Sequence, residues 1–487
     1  MRTRFSGWMV ALALSLSFGG LLPASASPWA EVGDNQLRSD IELLQSAGVI
    51  RDVTIHWPLP WKSILADLSR VDPDAQPWAV RAAIERLSAK ARAGTAPGIS
   101  RAFYADVTNR TDVVYGFDGM GRGDGQAQVS VAQNGDVFSW RISLGAITND
   151  FGRKPNKLMP DGTYFALNLG GVRAYAGYLD HWWGPGQITA LQLSNNARPM
   201  PQIGFERSST ERSSWPVLNW LGPWQFELLV GKLDGPQIES NVYYDATHLT
   251  INPLPGLELG VAKTEQFCGQ GHACAPLRDY FTNLDFSTHP NNVNGEGAFE
   301  LKYSHKIAGV PVQVYAQMMD EDYSLFTSSG SSHLIGASAF LPTAGNPVKL
   351  TAEFSDTIAT KKPFSFGHYI YGYTYTDTQF PDGMHYRGRT LGSSLDTDST
   401  LLSLQAGWSD AGDRFYEFSL HHAMIGNHNS GVNIVTQSPV IVNMAEARVS
   451  LPWRNWKIDL DGRLQDDQPR PHRGVAAAAE IALRAPF

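Results

Sequence analysis

Ala479-Glu480-Ile481-Ala482-Leu483-Arg484-Ala485-Pro486-Phe487 closes the chain. Ala479, Ile481, Leu483, Ala485 and Phe487 fall on one side, and Glu480, Ala482, Arg484 and Pro486 on the other. A period of two marks a strand whose faces meet different surroundings. A chain that stops on such a strand with a terminal aromatic predicts the closing strand of a transmembrane β-barrel, so most of this protein should fold in lipid.

The other end agrees. Arg2 and Arg4 precede an apolar stretch from Trp8 to Leu22, and Ala24-Ser25-Ala26 follows. A basic start, a short apolar run and a small-x-small site make residues 1–26 a secretory signal peptide, cleaved after Ala26. No cysteine follows the apolar run, which argues against lipoprotein processing. The two ends together predict the outer membrane of a Gram-negative bacterium, with loops exposed at the cell surface and lipid and lipopolysaccharide as surroundings.

Composition fits. The 487 residues include 11% aromatics and 46 glycines, and no second apolar run is long enough to cross a bilayer as a helix. Mean hydropathy is slightly negative, as alternation allows in a barrel. A net charge of -8 supplies no global basic field, which argues against nucleic acid as a partner. Any acidic ligand must therefore be met by local basic loops. The two cysteines, Cys268 and Cys274, predict a disulfide pinning a loop in an oxidising compartment. No cofactor motif stands out. Gly119 to Gly125 is glycine-rich but no helix follows it, so nucleotide binding fails its context test. No Gly-x-Ser-x-Gly elbow is present, and His421 and His422 face opposite sides as strand neighbours.

Residues 27–100 read as a three-helix bundle. Leu37, Ile41 and Leu44 share a face between a capping Asp34 and Gly48. Trp61 to Arg70 and a segment after Pro77 carry the same helical period. Preceding the barrel, this bundle should lie on the periplasmic side. Residues 101–487 read as the barrel, with strand-like segments from about 111. Tight turns at Asn134-Gly135, Pro255-Gly256, Ala308-Gly309, Ala344-Gly345, Ala411-Gly412 and Arg454-Asn455 alternate with long polar connectors. The count is about 18 antiparallel strands, the first at 111–118, a single long one at 163–180, and the weakest at 187–194 and 203–209.

Several blocks carry a resemblance. They are Ser27-Pro28-Trp29, Leu37-Arg38-Ser39-Asp40-Ile41, Trp57-Pro58-Leu59, Trp182-Trp183-Gly184-Pro185-Gly186, Ser194-Asn195-Asn196-Ala197-Arg198-Pro199, Glu353-Phe354-Ser355-Asp356-Thr357 and Tyr386-Arg387-Gly388-Arg389-Thr390. They resemble the Wzi family of capsule-assembly proteins over nearly the whole mature chain. The resemblance implies an outer-membrane lectin that tethers capsular polysaccharide at the cell surface, and no enzymatic activity. It implies an all-β transmembrane barrel of 18 strands with an N-terminal periplasmic helical bundle. A porin or sugar channel is the alternative.

Candidate ligand residues follow from chemistry. The connector from Asp356 to Ser399 carries Lys361, Lys362, Tyr369, Tyr371, Tyr373, Tyr386, Arg387 and Arg389. Aromatic faces stack on sugar C–H surfaces, and Lys or Arg pairs with acidic-sugar carboxylates, so the capsular polymer is expected to be acidic; a monomer is the expected state of the protein. The alternating tyrosines equally describe a hairpin rising above the membrane. Arg198, with Asn195 and Asn196, either binds a carboxylated sugar or pins its Pro-rich segment inside the lumen. Trp182 and Trp183, expected at the periplasmic rim, either stack on sugars, pack against the bundle or sit in the interfacial aromatic girdle. Arg153, Lys154, Lys157, Arg470, His472 and Arg473 extend a basic character to other outer loops.

Overall fold

The computed structural model describes residues 26–487 except 149–157, 236, 275, 277, 279–292, 322–329 and 470–472. Residues 1–25 of the signal peptide, Arg153, Lys154, Lys157, Arg470 and His472 lie outside the described residues.

Eighteen antiparallel strands form a closed barrel. They are β1 (Gly98–Thr108), β2 (Gly125–Asn134), β3 (Phe138–Thr148), β4 (Tyr164–Leu169), β5 (Val172–Gly177), β6 (Gln202–Arg207), β7 (Trp224–Lys232), β8 (Tyr243–Leu254) and β9 (Leu257–Phe267). Then come β10 (Asn294–Ile307), β11 (Val310–Glu321), β12 (Ser331–Leu341), β13 (Val348–Thr360), β14 (Thr400–Ser409), β15 (Phe415–Ile425), β16 (Val440–Trp453), β17 (Trp456–Gln465) and β18 (Ala476–Pro486). The terminal strand β18 closes the cylinder against β1, pairing Glu480 with Thr108 and Pro486 with Ala102. Closure removes the edges whose unpaired backbone groups lipid could not satisfy.

Alternation separates two environments. Val129, Ile142, Leu144, Ile203, Phe205, Val261, Val314, Ile335, Leu404, Phe418 and Ile481 are exposed on the outer wall. The inward positions of the barrel strands carry buried polar groups such as Glu227, His248, Glu258, Glu300, Gln313, Gln317 and Glu353. Apolar outside and polar inside is the pattern of a lipid-facing barrel.

Two strand expectations fail and offset each other. Residues 163–180 are a hairpin, β4 and β5, because Gly170, at φ +73, turns the chain. Residues 187–194 form no barrel strand. Their amides go to wall side chains: Gln187, Ile188 and Thr189 N–H donate to Glu353, and Leu191 N–H donates to Gln317 Oε1 at 2.9 Å. Every side chain in this stretch is buried. The first strand is Gly98–Thr108 rather than 111–118. Residues 109–124 turn inward instead, placing Phe117 between the Trp57 and Trp182 rings at 4.9 and 5.5 Å.

The N-terminal helices are α1 (Asn35–Ser46), α2 (Trp61–Leu68) and α3 (Trp78–Thr95). Asp34 Oδ1 accepts from Leu37 N at 2.9 Å, capping α1. Gly94 lets α3 approach Trp61, since a Cβ there would stand 2.6 Å from the indole nitrogen. The bundle sits at the short-turn end and reaches into the lumen. Gln45 donates to Glu258 at 2.5 Å, Lys349 Nζ reaches Glu42 Oε2 at 2.5 Å, and Gln313 donates to the Glu42 carbonyl at 3.2 Å.

Candidate functional site

A second segment meets the bundle from the opposite end. After β5 the chain re-enters the lumen over 178–201. There Trp182 pairs with Trp57 and Trp183 with His56 in a short antiparallel ladder. Both tryptophans are fully buried, so they lie inside the barrel against the bundle rather than at a rim. Arg38 lies over Phe117 at 4.5 Å and donates to the carbonyls of Pro185 and Gly186.

Behind them sits a polar cluster. Glu227 bridges His56 Nε2 at 2.9 Å and His181 Nε2 at 3.0 Å, and His56 stacks on His248 at 4.3 Å. Burial, helped by His248, pulls His56 down to about 4, keeping it neutral. Burial also disfavours charge on His181, but Glu227 overrides it and raises that imidazole above its usual value. Glu227 thus ties the bundle's His56 and the inserted segment's His181 to the wall.

The candidate residues divide into two sets. Arg198 is buried and grips Asp161, with Nε–Oδ2 at 3.0 Å and Nη2–Oδ1 at 2.7 Å. Asn195 donates to the Phe117 carbonyl at 3.0 Å and Asn196 to the Thr390 carbonyl at 2.9 Å. Arg389 is buried too, donating to Asn196 Oδ1 at 3.1 Å and to the Arg122 carbonyl at 2.7 Å. These four bind segments of the plug to one another.

The other set lies in the connector after β13, at the long-loop end. Lys361, Lys362, Phe364, Phe366, His368 and Tyr371 are exposed, and Tyr369 and Tyr373 are half-buried. Phe364 and Phe366 flank His333 at 4.9 and 5.1 Å. Tyr371 stacks on His428 at 3.9 Å yet stays 37% exposed. The exposed tip thus carries two lysines beside two aromatic groups.

From Thr374 onward the same connector descends into the lumen. A cleft of about 260 Å³ opens where it meets residues 237–238 and 432–434, lined by Gln237, Ile238, Asp377, Asp382, His385 and Arg387. Arg387 Nη2 pairs with Asp234 Oδ1 at 3.0 Å, and Tyr386 donates its hydroxyl to the same oxygen. Burial weakens the Arg387 charge, but Tyr386 and Asp234 outweigh it and hold the guanidinium above its ordinary range. Burial pushes the Tyr386 phenol well up. His385 Nε2 meets Asp396 Oδ1 at 2.7 Å, and that partner holds the carboxyl below its usual value against the cost of burial.

Asp234, Gln237 and Ile238 escaped the sequence reading because their connector, 233–242, is short and carries no aromatic or basic signal. Nor does any spacing link His385 to Asp396. Cys268 and Cys274 are joined as a disulfide. The loop they close places His272 in a stack on Phe380 at 4.4 Å, against the far side of the same connector. Arg473 donates to Ser438 O and Oγ at 3.0 and 2.7 Å.

The capsule assembly protein Wzi family model matches residues 98–466. An uncharacterized 55.8 kDa protein of the cps region of Klebsiella pneumoniae is 27% identical over 345 residues, which is 67% of this chain and 66% of that protein's length. A solved structure, described as Wzi, an outer membrane protein involved in group 1 capsule assembly in Escherichia coli and a carbohydrate-binding β-barrel, superposes with a TM-score of 0.83. Its identity is 20%, and the match covers 95% of this chain and 100% of that one.

Proposed function

We propose a function from one premise: this chain belongs to the Wzi family of capsule assembly proteins. It resides in the outer membrane with its bundle and short turns toward the periplasm and its long loops at the cell surface. There, as a non-catalytic monomer, it binds capsular polysaccharide, an acidic polymer, and tethers it to the cell. The observation that carries this reading is the contrast between interior and tip. The lumen is filled by buried side chains of plug and wall, whereas Lys361, Lys362, Phe364, Phe366 and Tyr371 stand exposed on the connector whose later part lines the Arg387 cleft. Exposed aromatic faces next to fixed cations are the chemistry that holds acidic sugars.

The test is binding of purified protein to capsular polysaccharides of defined composition, paired with a deletion strain. Saturable binding to an acidic polymer, and shedding of capsule by the strain, support the assignment. A strain whose capsule stays firmly cell-bound refutes tethering. The channel reading conflicts with the plug. In planar bilayers the full-length barrel should show no large steady current, and porin-like conductance would overturn that expectation.

A further inference from the structure

The connectors at the short-turn end are short, with one exception. Residues 135–137, 170–171, 255–256, 308–309, 342–347, 410–414 and 454–455 make tight links, whereas 208–223 runs for a whole extra loop. Its tip reads Trp215-Pro216-Val217-Leu218-Asn219-Trp220, and Trp215, Val217 and Trp220 are 69%, 75% and 66% exposed. Large apolar groups this open on a loop need a partner surface.

The root of the connector shows which surface. Along β6, Ile203, Phe205 and Arg207 share the outward parity, and Ile203 and Phe205 are exposed on the wall. The Arg207 guanidinium lies 3.7 Å from the outward Trp224 ring and donates to the Glu211 carbonyl at 3.1 Å. The outward face of the connector's root is thus continuous with the apolar band, while Ser208, Ser209 and Thr210 are buried on its inner side. Its other end is held by Asn252 N–H donating to the Pro223 carbonyl at 2.8 Å, and Gly222, at φ +68, lies too close to Asn252 for any side chain. On the inner side Thr210 N–H donates to Ser63 Oγ of α2 at 2.8 Å, so the connector is also tied to the bundle.

We propose that residues 208–223 form an interfacial anchor whose Trp215, Val217 and Trp220 seat in the periplasmic leaflet of the bilayer. The partner is phospholipid: indole rings favour the headgroup boundary, with an apolar body in acyl chain and an N–H in water. The exposed Arg212 and the outward Arg207 flank the tip, where lipid phosphates lie. Because the same connector holds α2, seating it in lipid also fixes the plug against the wall.

Spin labels test this in full-length protein reconstituted into nanodiscs of phosphatidylethanolamine and phosphatidylglycerol. The native cysteines are disulfide-bonded, so Val217→Cys, Ile203→Cys and Ala344→Cys each give one reactive site. Ile203 marks the lipid-facing wall and Ala344 an exposed short turn. The expected result is faster collision with oxygen than with a nickel chelate at 217 and 203, and the reverse at 344. Adding Trp215→Ala and Trp220→Ala should move the 217 label several-fold toward nickel access. Nickel-favoured collision at 217 with an oxygen-favoured 203 overturns the anchor and leaves the barrel standing. A nickel-favoured 203 overturns the membrane reading itself. An unmoved 217 label in the double alanine variant overturns the role given to the tryptophans.

Discussion

Arg198 decides between a ligand contact and an internal strut. Replacing it with Met keeps much of the side-chain volume but removes both bonds to Asp161, at 3.0 and 2.7 Å. Asp161 is 7% exposed, so its carboxylate would stay buried with reduced compensation. Breaking one side of such a pair costs about 3–5 kcal/mol. Arg122 remains 3.9 Å from Asp161 Oδ2, which argues for the low end, about 3 kcal/mol, or roughly a hundredfold in the folded-to-unfolded ratio. Asp161→Asn alone should destabilise comparably, and the Arg198→Met/Asp161→Asn pair should lose less than the sum, by about 1–2 kcal/mol of coupling. Urea unfolding in detergent, followed by heat-modifiable gel mobility, reads the stability. Polysaccharide binding by the folded fraction should stay within about twofold. A variant that keeps its stability but loses binding tenfold would show that Arg198 touches the glycan and that the plug argument is wrong.

Three other outcomes follow from the same geometry. Tyr371→Ala and Arg387→Gln should each weaken binding about tenfold, near 1.4 kcal/mol, with unchanged heat-modifiable mobility; unaltered affinity in both would remove the tip and cleft from the site. Lys361→Gln/Lys362→Gln should flatten the salt dependence of binding to an acidic polymer while leaving a neutral polymer unaffected, as calorimetry at two ionic strengths would show. Asp52, between α1 and α2, is pushed up to about 7 by burial and then by Asp67. The folded state thus holds this proton more tightly than the unfolded state, so stability present below about pH 4 is lost as pH rises through 7. Asp52→Asn should therefore unfold at higher urea than the parent at pH 8, by at most about 4 kcal/mol, and alike at pH 4. Equal pH profiles would refute that account.

Closure of the barrel was readable because lipid enforces alternation on every strand, and the tail from Ala479 to Phe487 shows it without interference. The helices were readable because Asp34, Pro77 and Gly94 punctuate a 3.6-residue period. Alternation fails where it is no longer about lipid. Residues 187–194 look like a strand because Ile188, Ala190, Leu191 and Leu193 are mixed with Gln187, Thr189, Gln192 and Ser194, but all of them are buried and amides among them pair with Glu353 and Gln317. No local pattern distinguishes a wall from something packed inside it. The first strand was misplaced for a related reason. Val113, Val114, Tyr115 and Phe117 carry apolar character that faces the lumen contents, while Gly98–Thr108 mixes Arg101, Tyr104 and Asp106 among its wall residues.

Motif strength and function part company here. Trp182-Trp183-Gly184-Pro185-Gly186 and Ser194 to Pro199 are the most distinctive words in the sequence, and the structure spends them on packing. A Cβ on Gly184 would stand 2.6 Å from Gln317, and one on Gly186 would strike the Thr189 carbonyl. Such tight packing leaves little freedom for those residues to vary. A surface that meets a polymer is held by fewer constraints, so the signal of the proposed site would be spread thinly over Lys361 to Tyr373 and over the unmarked Asp234 and Ile238. An 18-strand cylinder would enclose an aqueous lumen unless something filled it. Here Glu42 of α1 pairs with Lys349 and Lys302 of the wall, contacts costly to break in the interior. A plug fixed in that way is what the proposed non-channel role requires, and it leaves the long-loop end as the surface that role would use.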